Sequence, residues 1–219
     1  WNDWSISSMP SPSSGGVLIG IGARLLQSMK TRHAFGSVSH YEEIAEVQRL
    51  LLHLRTDDFD ERIASDTYVS TLLNQMTLTE IKGLAGAYSA DNYLGSTTQI
   101  SAIDSAGDVV SMTLTNGEGC GCVLDGCGIQ VNNLLGEEDI NPKGFHQAEA
   151  GSHMQTMMAP TIGRIAGRRI ALGSGGSNRL RNAILATLLN VIEYEMPLQL
   201  AVHQPRVHVD RVVEGIGVN

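Results

Sequence analysis

The sequence predicts a layered α+β domain, with sheets in the middle of the chain and helices outside. Three observations carry this. Apolar residues recur at helical spacing through much of residues 1–96, the period drops to two at Thr97, and helical spacing returns from Leu180. A chain of 219 residues fits one domain or at most two. It divides naturally into residues 1–96, mostly helical and ending in a linker, and residues 97–219, which carry the strands.

The helical part opens on Met9-Pro10-Ser11-Pro12-Ser13-Ser14-Gly15-Gly16, a stiff polar lead ending in a Ser/Gly cap. Val17 to Met29 then has the apolar density of a buried helix. In a second helix, Ser39 as N-cap with Glu42 three places on reads as a capping box, and Ile44, Val47, Leu51 and Leu54 repeat at helical spacing up to Arg55. Asp57-Asp58-Phe59-Asp60-Glu61 reads as a solvated turn, and a third amphipathic helix is expected over residues 67–74. Residues 83–96, rich in Gly, Ser, Ala and Tyr, show no period and read as an exposed linker.

Residues 98–104 and 109–115 alternate, with Val110, Met112 and Leu114 on one face and Ser111, Thr113 and Thr115 on the other. A four-residue loop over 105–108 would pair Asp104 with Val109, which sets Thr98 opposite Thr115 and Thr97 opposite Asn116. A short strand is expected over 128–132, followed by an irregular acidic stretch to Gly151. Residues 160–164 and 168–172 form a hairpin around Ala166-Gly167. The turn Gly173-Ser174-Gly175-Gly176-Ser177-Asn178 then feeds a helix with Leu180, Ile184, Leu188 and Val191 on its core face. A short helix over 197–202 and one or two strands after Pro205 complete the chain.

Composition narrows the function. Fifteen basic against 23 acidic residues give a net charge of −8, with no Lys/Arg cluster of the density that phosphate neutralisation needs, so nucleic acid is excluded as a partner. Apolar stretches such as Val17–Ile21 fall far below the roughly 20 residues of a membrane helix. Cys120, Cys122 and Cys127 have no second cluster to complete a metal site or disulfide pairs and read as half-buried small hydrophobes. The seven His are scattered without metal-ligand spacing, and neither metal nor cofactor is called for. Residue 1 is Trp and no leader precedes the first motif, so the chain is expected to be a piece of a longer or processed protein, with no targeting signal to read.

Three places could carry chemistry. A strand that ends in glycines and opens a helix, as at residues 173–177, exposes backbone N–H groups that can hold an anion or oxyanion, although glycines there also serve close packing. Thr97 stands where the linker meets a strand. If the peptide bond before it were cut, its own α-amino group would lie within reach of its hydroxyl and could act as the base for a nucleophile. Glu137, in the acidic run after Asn132-Asn133, could pair with the ammonium group of an amino-acid substrate or simply be a solvated loop charge.

Four motifs in order resemble those of the γ-glutamyltransferase (γ-glutamyltranspeptidase) family of N-terminal-nucleophile hydrolases. They are residues 9–16, Thr97-Thr98-Gln99-Ile100-Ser101, Leu172-Gly173-Ser174-Gly175-Gly176-Ser177 and Ala201-Val202-His203-Gln204-Pro205-Arg206. The resemblance implies an α/β/β/α sandwich, incomplete at both ends, in which residues 1–96 are the C-terminal part of a large subunit and residues 97–219 a small catalytic subunit. It implies autocleavage between Ser96 and Thr97 and a heterodimer of the two products. Freed Thr97 would attack the γ-amide of a donor such as glutathione and pass the γ-glutamyl group to water or an amino acid. Gly175 and Gly176 would form the oxyanion hole and Thr115 would bond the nucleophile. Asn116 and Glu137 would hold the amino and carboxylate end of the substrate, and Thr156 would bind its α-carboxylate. A periplasmic or extracellular location is implied as well.

This sequence departs from the family pattern at several points. Gln99 stands where many members carry His, Thr156-Met157 replaces a Ser pair, and Asn132-Asn133-Leu134-Leu135-Gly136-Glu137 replaces Asn-Asn-Gln/Glu-Met-Asp-Asp. Most of the large subunit, with the Arg that clamps the α-carboxylate, is missing. Two alternatives stand beside the main reading: an acylase of the same fold for other amides, and a catalytically silent fragment with a binding or structural role, seeking a partner through edge strands at 206–214.

Overall fold

The computed structural model describes residues 1–29, 33–56, 58–74, 97–137, 140–141, 144–147, 149–176 and 179–209. Helix α1 (Ser14–Ser28) begins three residues before the apolar run, because the Ser13 side chain accepts the Gly16 N–H at 3.4 Å and caps the first turn. Its glycine start lets two backbones meet: Gly15 N–H donates to the Thr156 carbonyl at 3.2 Å. A Cβ on Gly15 would overlap the Met157 carbonyl.

Helix α2 (Val38–Leu54) is capped by Ser37, whose hydroxyl accepts the His40 N–H at 3.2 Å, so the expected Ser39/Glu42 box does not form. Ser39 lies inside the first turn, and a cap needs the non-helical backbone that Ser37 has, with ψ 160°. The expected apolar face is buried as spaced, at Ile44, Val47, Leu51 and Leu54. The acidic stretch is a helical turn rather than a solvated one: α3 (Phe59–Arg62) drives Phe59 into the core at 1% exposure. Burying an aromatic ring outweighs the exposure of its flanking carboxylates. Asp58 starts that turn, its carboxyl held below the usual range first by the Thr56 hydroxyl and then by Arg62. Helix α4 (Asp66–Asn74) buries Leu72. The expected linker at 83–96 lies outside the described residues.

Strand β1 (Ser5–Ser7) pairs antiparallel with β6 (Thr161–Ile165), and β6 pairs with β7 (Arg168–Leu172) around Ala166-Gly167. A separate hairpin joins β2 (Thr97–Ile103) to β3 (Val109–Thr115), and a small one joins β4 (Val123–Leu124) to β5 (Ile129–Gln130). Strand β5 is shorter than the expected 128–132. Helix α5 (Leu180–Ile192) buries Leu180, Ile184, Leu188 and Val191 as expected, and α6 (Leu198–His203) follows Pro197. No strand forms over residues 205–209, and residues 210–219 lie outside the described set.

The β2–β3 register differs by one residue from the sequence expectation. Asp104 N–H donates to the Asp108 carbonyl and Gly107 N–H to the Asp104 carbonyl, both at 3.1 Å, with Gly107 at φ 87°. That is a three-residue loop closed by a left-handed glycine, not a four-residue loop. Thr97 therefore faces Thr115, and Thr98 faces Leu114.

The core spans both parts of the chain. Val17, Leu18, Ile21 and Leu25 of α1 share one apolar cluster with Leu51 of α2, Phe59, Leu72, Met157 and Leu185 and Leu189 of α5. A second cluster, with Trp4, Ile170, Leu172, Ile184 and Leu188, seats α5 on the three-stranded sheet. The mixed helix and sheet content is as expected. Cys120, Cys122 and Cys127 are exposed, not half-buried, since the small β4–β5 hairpin has no second layer over it among the described residues. None of the described helices is long and apolar enough to cross a membrane.

Candidate active site around Thr97

The β2–β3 hairpin is amphipathic in an inverted sense. Its outer face, with Ile100, Val110, Met112 and Leu114, is exposed, while the polar face of Thr97, Gln99, Ser111, Thr113 and Thr115 is half-buried. That polar face lies toward the end of β7, where Ser111 Oγ donates to the Leu172 carbonyl at 2.9 Å. Period-two geometry and the observed register put Thr97 and Thr115 side by side on it.

Thr97 Oγ1 donates to Thr115 Oγ1 at 3.1 Å, and Thr115 Oγ1 also accepts the Gly117 N–H at 3.0 Å. The second bond fixes the Thr115 rotamer, so the acceptor for Thr97 is set in advance. Beyond β7 the glycine turn closes on the same spot. A Cβ on Gly175 would stand 2.6 Å from the Thr97 carbonyl oxygen and 3.3 Å from Thr97 Cβ. Gly176 follows at φ 108°, a conformation that favours glycine. Thr97, Thr115 and Gly175 thus meet in one place.

The other candidates distribute unevenly. Glu137 reaches the rim: a Cβ on Gly117 would overlap both the Glu137 carboxylate and Asn133 Oδ1. Asn133, which sequence reading did not single out, is the brace there, its Oδ1 accepting the N–H groups of Glu118 (2.7 Å) and Gly119 (3.1 Å). Asn116 continues β3, its carbonyl accepting the Asn133 N–H at 3.2 Å and its Nδ2 directed to the Gln130 carbonyl at 3.5 Å. Thr156 is held elsewhere, at the start of α1, where its carbonyl accepts the Gly15 N–H and its Oγ1 accepts the Met158 N–H at 3.1 Å. Ser96 lies outside the described residues. Gln99 is the second residue here without a role in the sequence reading; its signals were its place two residues from Thr97 and its standing where many family members carry His. Among the described residues no group of three or more His, Cys, Asp or Glu gathers as a metal site.

A family model described as gamma-glutamyltranspeptidase matches residues 1–219. The chain belongs to that family. Among its relatives, the acylase ACY 1 proenzyme of Pseudomonas sp. (strain SE83) is 30% identical over 224 residues, 94% of this chain and 39% of that protein. The glutathione hydrolase proenzyme of Pseudomonas sp. (strain A14) is 28% identical over 253 residues, 100% of this chain and 42% of that protein. The chain therefore spans about two fifths of the length of these curated relatives. A solved structure, gamma-glutamyltranspeptidase from Pseudomonas nitroreducens complexed with L-DON, aligns with a TM-score of 0.47 and 27% identity over 53% of this chain and 67% of that one.

Proposed function

We propose that this gamma-glutamyltranspeptidase family chain is a self-processing γ-glutamyl hydrolase or transferase with Thr97 as its nucleophile. The Thr97 hydroxyl attacks the Ser96 carbonyl carbon, the peptide C–N bond breaks as the amine takes up a proton, and water hydrolyses the resulting ester. The two pieces stay together, because the core joins α1 and α2 to α5 across the cut. The new α-amino group then takes the proton from Thr97 Oγ1 as that oxygen attacks the γ-amide carbon of a glutamyl donor. Backbone N–H groups at Gly175 and Gly176 stabilise the oxyanion, the leaving amine takes the proton, and water or the amine of an amino acid resolves the γ-glutamyl ester. Glu137 and Asn116 hold the amino-acid end of the donor, and by resemblance the Thr156 hydroxyl binds its α-carboxylate. The fold in this reading is the four-layered sandwich of N-terminal-nucleophile hydrolases.

The observation that carries the reading is the bond from the Thr97 hydroxyl to Thr115 beneath a glycine packed on the Thr97 main chain. An assay of the full chain with a γ-glutamyl anilide and an aliphatic acyl anilide tests it. Release from the γ-glutamyl compound, absent in Thr97→Ala, is the expected result. Activity confined to the acyl compound would move the chain to acylase chemistry, the activity in the name of the ACY 1 relative. Equal signals from Thr97→Ala and the unaltered chain would overturn the nucleophile.

A further inference from the structure

The glycine turn after β7 contains glycines of two kinds. Gly176 has φ 108°, whereas Gly173 and Gly175 are not among the residues of positive φ, so backbone conformation does not account for them. What they share is close approach. A Cβ on Gly173 would overlap the side-chain amide of Gln99, and a Cβ on Gly175 would stand 2.6 Å from the Thr97 carbonyl oxygen. The glycines are two residues apart, as are Gln99 and Thr97, which share one face of β2 by its period of two. The turn therefore seats on that face as a pair of contacts, 173 over 99 and 175 over 97.

The Gln99 amide is firmly held. Its Oε1 accepts from Thr113 Oγ1 at 2.6 Å, and the Nε2 hydrogens are shared among the Ile100 carbonyl (3.0 Å), Ser101 Oγ (3.1 Å) and Ser111 Oγ (3.0 Å). Ser111 in turn donates to the carbonyl of Leu172, the residue before Gly173. One polar network thus ties the last residue of β7 to the amide on which the next residue rests.

We infer that Gln99 is a positioning residue: its amide is the stop against which Gly173 seats, and it fixes where Gly175 and Gly176 present their N–H groups to the carbonyl under attack by Thr97. The inference rests on the Thr97 reading above. It assigns Gln99 a role exerted through the glycine turn, and it explains the Gly-x-Gly spacing by the strand beneath it.

The test is a cycle of the full chain, Gly173→Ala, Gln99→Ala and the double variant, with Gln99→His as the conservative replacement that keeps a planar donor of similar size. Self-cleavage rate, kcat, KM and Tm are read for each. Displacing the turn by about 1 Å slows a step by about 100-fold, so Gly173→Ala is expected to lose about that factor in self-cleavage and kcat, with KM within about twofold. Adding Gly173→Ala to Gln99→Ala is expected to cost less than about threefold, because the obstructing amide is gone. Gln99→His is expected to exceed Gln99→Ala in kcat. Gly173→Ala as fast as the unaltered chain, or the same factor lost in both backgrounds, would overturn the inference. Should the unaltered chain show no self-cleavage, the Thr97 reading falls, and the Tm cycle alone decides the seat: coupling between the two substitutions supports it, and simple additivity removes it.

Discussion

A threonine hydroxyl attacks a carbonyl poorly unless its proton has somewhere to go and its oxygen is aimed. In the proposed reaction the aiming group for Thr97 is Thr115, which accepts the Thr97 hydroxyl at 3.1 Å while Gly117 N–H holds it in place. Replacing Thr115 with Val keeps the shape and removes the acceptor. A neutral hydrogen bond contributes about 1 kcal/mol, and 1.4 kcal/mol is tenfold in rate, so kcat should fall roughly five- to tenfold. KM should stay near its original value and Thr115→Ser should recover most of the loss. Steady-state kinetics of the three chains checks this. Thr97 was singled out by its place at a period change, and Thr115 was singled out by resemblance, pairing logic having set it opposite Thr98, one residue off its observed partner. Gln99 was not, because its role depends on a backbone that returns some seventy residues later.

At the level of elements, the β2–β3 hairpin shows what periodicity can and cannot deliver. Alternation at Val110, Met112 and Leu114 marked the strand and its two faces correctly, yet which face turns inward is a tertiary fact. Here the polar face turns in, because Ser111 meets the Leu172 carbonyl and Gln99 meets Gly173. Met112→Lys should therefore shift stability by less than about 0.5 kcal/mol, as for an exposed position. Ser111→Val should cost about 1 kcal/mol or more by removing the donor to the part-buried Leu172 carbonyl. Chemical denaturation of the two variants checks the order, which an ordinary apolar-in hairpin would reverse. The register slipped by one in the sequence reading for a related reason. Gly107 shortens the loop by adopting φ 87°, and a glycine does not announce which loop length it serves. The same limit applies to α3: an acidic run reads as solvated until the one aromatic residue within it finds a core.

Across the whole molecule, stability rests on a core that joins residues on both sides of Thr97, with α1 between α2 and α5. Helix α2 is also linked to the segment just after α5 through His40, buried in the structure, whose Nδ1 lies 2.9 Å from the Tyr194 hydroxyl. Tyr41, Phe35 and Tyr194 surround the ring, and burial first, then the nearby His33 charge, lower its pKa. The native state thus binds the His40 proton less readily than the unfolded chain. The resulting stability is full above the unfolded value of about 6.5 and is lost as pH falls from there toward the lower folded value. Urea midpoints should drop between pH 7 and pH 5, and His40→Gln should flatten that drop; a midpoint unchanged over this interval in the unaltered chain would contradict the assignment. The helix faces of this core were legible in the sequence, since Leu180, Ile184, Leu188 and Val191 are buried as spaced. The contact of His40 with Tyr194 was not, because it joins residues 154 apart in the chain.

The proposed chemistry requires Thr97 to become the first residue of a new chain. Intact-mass analysis of the purified protein, with N-terminal sequencing of the smaller masses, tests this most directly. Two species are predicted, residues 1–96 and a second piece beginning Thr97-Thr98-Gln99, with Thr97→Ala remaining a single uncut chain. A persistent full-length mass after prolonged incubation, or a cut at any other bond, would contradict it.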